Sequence, residues 1–182
     1  MKHLVSITLA SVLLVGYPIL AVAQTSDRPD SSAILKAFST PVVVDGNPVW
    51  ATVLTDASVD ALWHGTPAAD NLRTVAAGGH TVIYVMGVAV KRFTFPVRYT
   101  IEQDGHSFSG TGTNVSHFDG VAIPEGETIL GLVEFDGKVA LDRPFTLTLG
   151  GGSATVAIDP AAVSRWGQIA PPKDVFASHS KK

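Results

Sequence analysis

The sequence predicts an all-β protein, an antiparallel β-sandwich or a small closed barrel of about eight to ten short strands with one or two short helices. Three observations predict this class. Runs rich in β-branched and aromatic residues follow Pro41, and such runs favour strands. Turn signals containing glycine separate the runs at intervals of about 8 to 12 residues. No repeat of fixed period is visible, so we expect one β domain over residues 41–167.

The N-terminal segment predicts export. Basic residues at positions 2–3 precede an apolar run over 4–20, and Ala21 and Ala23 give a small-residue pattern. These are the three regions of a secretory signal peptide, so we expect residues 1–23 to be removed. An uncleaved anchor is the alternative, but a glycine and a proline interrupt the run, which is shorter than the ~20 apolar residues of a spanning helix. The sequence therefore predicts a periplasmic or extracellular protein without a transmembrane helix after cleavage.

Composition excludes several classes of protein. The chain has no cysteine, so neither a disulfide framework nor a cysteine-linked lipid anchor is available. Basic residues are scattered singly or in pairs and the net charge is −3, which argues against a nucleic-acid partner. Removing 23 of the 182 residues leaves 159, a length that buries a sizeable core without covalent cross-links.

The first elements of the mature chain are predicted from local signals. Residues 24–40 form a leader with a possible short helix over 31–38, for which Ser31 is the expected N-cap. Two strands follow around a turn at 45–48. A second short helix is expected, with Asp56 as its N-cap and Gly65 as its stop, and a strand is the alternative for this segment.

The segment up to residue 79 is predicted to be a long loop that ends in two glycines. Loops of this length without regular structure tend to be functional. Residues 81–90 are apolar on both faces, as expected of a central strand covered on each side.

Three hairpins and a last helix complete the predicted domain. Asp104–Gly105 fits a two-residue type I′ turn, and this register pairs Gln103 with His106 and Ile101 with Phe108. A second hairpin is expected to turn at 136–137 and a third at 150–152, before a helix between Asp159 and Gly167. Residues 168–182 are expected to form a flexible tail.

Polar residues around the first of these hairpins raise the question of a metal site. His117 and Asp119 lie two apart, and His106 and His80 are the other candidate ligands. Residues two apart on a strand project from one face, and catalytic zinc uses about three such ligands. The chain has no His-x-His or HExxH motif, and glycine turns account for these residues equally well. We therefore expect no cofactor, with a divalent metal as the alternative.

Signals for other chemistry are weaker. There is no G-x-S-x-G or S-x-x-K motif, so nothing in the sequence points to nucleophilic catalysis. The glycine run at 150–152 leads into a strand rather than a helix, which argues against a phosphate loop. Asn114 begins a glycosylation sequon whose use depends on the host.

The leading functional hypothesis is an exported, non-catalytic module that binds a protein, a glycan or a small apolar ligand. Trp63 and His64, in the expected loop region, and Trp50 are the candidate binding residues. The alternatives are a secreted enzyme or metal-binding protein with a histidine-lined site, and a small outer-membrane barrel.

Overall fold

The computed structural model describes residues 30–95, 97–113 and 122–169. These residues form ten strands and four helices, and they confirm the predicted all-β class. The helices are α1 (Ser31–Phe38), α2 (Asp56–Trp63), α3 (Pro67–Ala77) and α4 (Pro160–Trp166). The strands are β1 (Ser39–Val44), β2 (Asn47–Val53), β3 (Thr81–Val88), β4 (Phe93–Thr94), β5 (Tyr99–Gln103), β6 (His106–Thr113), β7 (Ala122–Ile123), β8 (Thr128–Phe135), β9 (Phe145–Leu149) and β10 (Gly152–Val156).

Eight of these strands form one antiparallel sheet that is nearly closed. Their order is β1-β2-β3-β8-β6-β5-β9-β10, and β4 pairs with β7 in a separate two-stranded sheet. The edge strands β1 and β10 lie against each other, and a side chain at Gly152 would collide with the carbonyl oxygen of Val43. Glycine at this position therefore permits the two edges to approach.

The interior of the curved sheet holds the main core. Alternate residues of each strand point inward, as the period of two requires. The inward set is dominated by branched and aromatic side chains, including Val42, Val44, Val49, Ile83, Val85, Ile101, Val133, Phe135, Leu147 and Leu149. Each such side chain contributes about 1.5 to 3 kcal/mol when fully buried. Ile34 and Phe38 of α1 join the same core, so α1 is part of the folded body.

Local turn chemistry explains the two Asp-Gly hairpins. Asp45 and Gly46 have φ of 48° and 77°, and Asp104 and Gly105 have φ of 51° and 79°. A type I′ turn requires positive φ at both central residues. The predicted register of the Asp104–Gly105 hairpin is confirmed, including the pair Ile101–Phe108. The β9–β10 hairpin and α4, with Asp159 as its N-cap, are also as predicted.

The predicted hairpin at 136–137 is wrong. Strand β8 pairs with β3 on one side and β6 on the other, so it has no free edge for the chain that follows it. Neither Asp136 nor Gly137 adopts the positive φ of a type I′ turn. Gly137 instead packs against the ring of Phe108, where a side chain would not fit.

The predicted loop before residue 79 is also wrong, because α3 occupies most of it. Pro67 begins the helix, which is a favourable position for proline. Ala69, Leu72 and Ala76 share one apolar stripe and are buried. Their cluster includes Val82 of β3 and Leu132 of β8, so tertiary packing stabilises a helix whose local signals are weak.

The N-caps of α1 and α2 each lie one residue before the expected caps, Ser31 and Asp56. Asp30 caps α1 through Oδ1, which accepts from the Ser32 N–H at 2.9 Å. Thr55 caps α2 in a reciprocal arrangement with Ser58. The predicted tail is described as far as Ile169, which packs against the α2–α3 cluster. None of the helices in the described ranges is long and apolar enough to cross a membrane.

Candidate functional site

The outer face of β1, β2, β3 and β8 is built from rows of side chains that run across the strands. Directly opposed residues of antiparallel strands are close neighbours on one face. The first row, called here the covered row, consists of Ser39, Thr52, Tyr84 and Leu132. Helices α2 and α3 pack over its β3–β8 part, where Tyr84 and Leu132 contact their apolar cluster.

The next two rows have no such cover in the described part of the chain. One row joins Pro41, Trp50, Met86 and Leu130. In the other row, Val43 pairs with Pro48, and Val88 pairs with Thr128. We call these eight residues the bare face. Trp50 is 51 % exposed, Met86 38 % and Leu130 43 %. Three large apolar side chains on adjacent strands are thus open to solvent.

The helical layer ends where the bare face begins. Trp63, the last residue of α2, packs edge-on against Tyr84 with ring centroids 4.7 Å apart and an interplanar angle of 74°. The chain then turns away into α3. Because α2 has only eight residues, it is about 12 Å long.

Two adjoining depressions lie over the bare face and its border with the helices. The first, here the α1–α2 groove, has a volume of about 290 Å³ and is lined by Leu35, Lys36, Ser39, Trp50, Thr52, Leu62 and Met86. The second measures about 390 Å³ and is lined by Pro48, Trp50, Met86, Gly87, Val88, Val90, Thr128 and Leu130. Trp50 and Met86 belong to both, so the two depressions form one continuous apolar trough.

Buried polar contacts fix the borders of this trough. The Oδ1 of buried Asn47 accepts hydrogen bonds from the N–H groups of Val90 and Lys91 at 2.9 and 3.0 Å, which holds the segment after β3 against β2. At the other border, the Ser58 N–H donates to Thr55 Oγ1 at 3.2 Å and the Thr55 N–H donates to Ser58 Oγ at 2.8 Å. These two contacts secure the start of α2, which carries Leu62.

The three predicted binding residues do not lie together in the structure. Trp50 lies at the centre of the trough. Trp63 is half-buried against Tyr84, and His64 is exposed at the end of α2 with Nδ1 3.7 Å from Asp60 Oδ1. Neither Trp63 nor His64 lines the trough. A binding role for these two residues stays a prediction.

The predicted metal ligands fall partly outside the described residues, where His117, Asp119 and the sequon residue Asn114 lie. His80 Nδ1 is 3.0 Å from the carbonyl oxygen of Phe135 and 3.5 Å from Glu134 Oε1. His106 is exposed at the start of β6. Among described residues no group of three or more metal-ligating side chains comes together. The metal hypothesis therefore also stays a prediction.

Met86, Leu130, Leu35 and Leu62 were missed as site residues by the sequence reasoning. A signal was present, because residues 81–90 are apolar on both faces. We expected both faces of this strand to be covered, which is wrong for Met86 and Val88. The other members come from β8, α1 and α2, and no local pattern shows that these elements meet.

The side chains of the trough supply apolar contact and very little acid–base chemistry. The lining residues include no aspartate, glutamate or histidine, and Lys36 is the charged one. At its border, burial raises the pKa of Tyr84 above its ordinary value. On the inner side of the sheet, burial raises the pKa of Tyr99 to about 12. Comparison of the chain with protein-family models, curated proteins and solved structures gave no match.

Proposed function

We propose that this protein is an exported, non-catalytic β module that binds a small apolar ligand on its bare face. The observation that carries the proposal is the row of Trp50, Met86 and Leu130, which are cross-strand neighbours and all exposed. Single exposed apolar residues are ordinary on protein surfaces. A contiguous group of them marks an interaction site.

The shape of the trough supports a ligand of small size. Its two parts measure about 290 and 390 Å³, and ligand sites usually occupy about 300 to 1,000 Å³. Such sites are lined mostly by hydrophobic and aromatic side chains with few polar groups, as this one is. Trp50 provides a wide, stiff surface that gains much contact area for little loss of conformational entropy.

The lining chemistry supports binding rather than catalysis. General acid–base catalysis needs a titratable group positioned beside the reacting atoms. The hydroxyls of Ser39, Thr52 and Thr128, the indole N–H of Trp50 and the ammonium of Lys36 are the polar side-chain groups of the lining residues. No nucleophile–base pair is found among these lining residues.

Binding to the bare face is tested with a neutral fluorescent probe such as Nile red. We expect the mature protein to bind the probe and Met86→Asp to bind it at least about tenfold more weakly, since burying one large apolar side chain contributes about 1.5 to 3 kcal/mol. Val97→Asp is the matched control, because Val97 is 63 % exposed and lies outside the trough. Equal binding by all three proteins would contradict the proposal.

Export is the second part of the proposal and rests on the basic, apolar and small-residue regions before Gln24. The test is the mass and N-terminal sequence of the protein made in a bacterial host, together with its cell fraction. We expect a product that begins at Gln24 and is found outside the cytoplasm. A product that keeps residues 1–23 would overturn this part.

A further inference from the structure

The lining of the trough includes one charged residue, in the α1–α2 groove. Lys36 lies in the last turn of α1 and lines the α1–α2 groove together with Leu35, Leu62 and Trp50. Among the described residues, no carboxylate forms a salt bridge with Lys36. Lys36 thus lines an apolar groove and has no salt-bridge partner in the described part of the chain.

The bare face is too small for a stable protein interface. It spans four strands, which at about 4.8 Å between neighbours is about 14 Å, and its two rows are about 7 Å apart along the strands. The corresponding area is about 100 Å², whereas specific complexes bury about 800 Å² on each partner. A second copy of this chain is therefore a poor match in size.

A single extended chain matches the long axis of the trough. Trp50, Met86 and Leu130 stand on three consecutive strands and form a row about 10 Å long. The groove beside Lys36 opens onto the Trp50 end of this row. A molecule with a charged head at Lys36 would lay its hydrocarbon chain over these three side chains in turn.

We infer that the ligand is a monomeric amphiphile with a carboxylate head and an unbranched hydrocarbon chain, of the medium-chain fatty acid class. The head pairs with Lys36, and the chain covers Trp50, Met86 and Leu130. This inference rests on the proposed function and names the ligand class for the same trough. A bilayer surface fits less well, because Leu35 of α1 and Leu62 of α2 line the groove beside Trp50 and make this part of the site a recess.

The test compares decanoate with 1-decanol, which share a chain and differ in the charge of the head. Each ligand displaces Nile red from the mature wild-type protein, from Lys36→Gln and from the control Lys138→Gln, whose side chain is exposed outside the trough. We expect Lys36→Gln to weaken decanoate binding by about threefold to fivefold, the size of one partly exposed ion pair. Decanol binding should not change, and Lys138→Gln should match wild type.

Ionic strength supplies a second readout, because salt screens exposed charges. Decanoate affinity should fall with added salt in wild type and be nearly constant in Lys36→Gln. If both ligands bind equally and Lys36→Gln has no effect, the inference fails while apolar binding stands. If neither ligand nor Nile red binds, the proposed function fails with it. Binding to anionic liposomes but not to monomeric decanoate would also overturn the inference, in favour of a lipid surface.

Discussion

On β3 and β8, the covered row and the first row of the bare face lie two residues apart, and both place large side chains on the outer face of the sheet. Tyr84 and Leu132 are packed under α2 and α3, whereas Met86 and Leu130, next along β3 and β8, face solvent. At these positions the difference in exposure follows from the helical layer, which packs on Tyr84 and Leu132. Neighbouring positions on the same two strands thus differ in burial, since Leu132 is 9 % exposed and Leu130 is 43 % exposed.

Strand β3 shows how far an apolar sequence pattern predicts the burial of a strand. A strand that is apolar on both faces predicts cover on both faces, but it does not say what supplies the cover. At Val82 and Tyr84 the cover is α2 and α3. Met86 and Val88, by contrast, are exposed, at 38 % and 52 %.

The largest change in the free energy of unfolding is expected from one of two leucines that lie on the same face of β8. Leu132 is 9 % exposed and Leu130 is 43 % exposed on the same face. Leu132→Ala should lower the free energy of unfolding by about 2 to 4 kcal/mol, because it removes buried contacts and leaves a cavity. Leu130→Ala should lower it by less than about 1 kcal/mol, since surface substitutions are nearly neutral. Urea unfolding measures both free energies. Equal losses in the two variants would contradict the claim that Leu132 is covered and Leu130 is not.

A smaller loss of unfolding free energy is expected from a substitution at the far border of the bare face. Asn47→Ala removes the acceptor that pairs with the N–H groups of Val90 and Lys91. Leaving partly buried donors without a partner costs about 1 to 3 kcal/mol. Urea unfolding checks this value, and Nile red affinity should fall as well because Val90 lines the trough. Asn71→Ala, an exposed change on α3, is the control and should leave both quantities unchanged.

The helical cover is expected to depend on the cap of α2. Thr55→Ala removes the acceptor for the Ser58 N–H and should cost about 1 to 2 kcal/mol. Thr66 occupies the equivalent position before α3 but makes no capping hydrogen bond, so Thr66→Ala should cost no more than a few tenths of a kcal/mol. Thermal unfolding of both variants provides the measurement. A larger loss of stability in Thr66→Ala than in Thr55→Ala would show that the start of α3, rather than the cap of α2, determines the stability of the helical layer.

The smallest effect concerns the tyrosine at the boundary between the two rows. Burial raises the pKa of Tyr84, and Trp63 is packed against its ring. Trp63→Ala should move the pKa of Tyr84 back toward its ordinary value near 10, while Tyr99, inside the sheet, keeps a pKa of about 12. Ultraviolet titration measures both values, with Tyr84→Phe and Tyr99→Phe to assign the signals. An unchanged Tyr84 would mean that α2 does not provide its cover.

These raised pKa values also fix the sign of the pH dependence. The unfolded chain loses its tyrosine protons first as the pH rises, because its pKa is the lower one. Stability from buried Tyr99 is therefore complete below pH 10 and is lost as the pH rises toward 12. The decline in unfolding free energy over this range should be smaller in Tyr99→Phe than in wild type.

Local signals predicted a large part of the fold. The Asp104–Gly105 hairpin and its register follow from turn geometry alone, as does α4 with its aspartate cap and following glycine. By contrast, the chain after Asp136 does not form a hairpin, because β8 is paired on both sides by strands distant in sequence. Helix α3 escaped prediction because packing on Val82 and Leu132 stabilises it.

The candidate site was predictable only in part for the same reason. Trp50 was singled out as one of the aromatic residues expected near the loops of the β domain. Its partners Met86 and Leu130 meet it through the register of three strands, which no local pattern encodes. Lys36 reaches the groove through the packing of α1 beside α2, another nonlocal contact.

The most direct test of the account is the environment of Trp50 in a protein that carries Trp63→Phe and Trp166→Phe. Without ligand, we predict emission typical of a solvated indole and free quenching by acrylamide. Saturating decanoate should shift the emission to shorter wavelength and protect the indole from acrylamide. A Trp50 that is shielded before any ligand is added, or that is unaffected by saturating ligand, would contradict the claim that the bare face is the binding site.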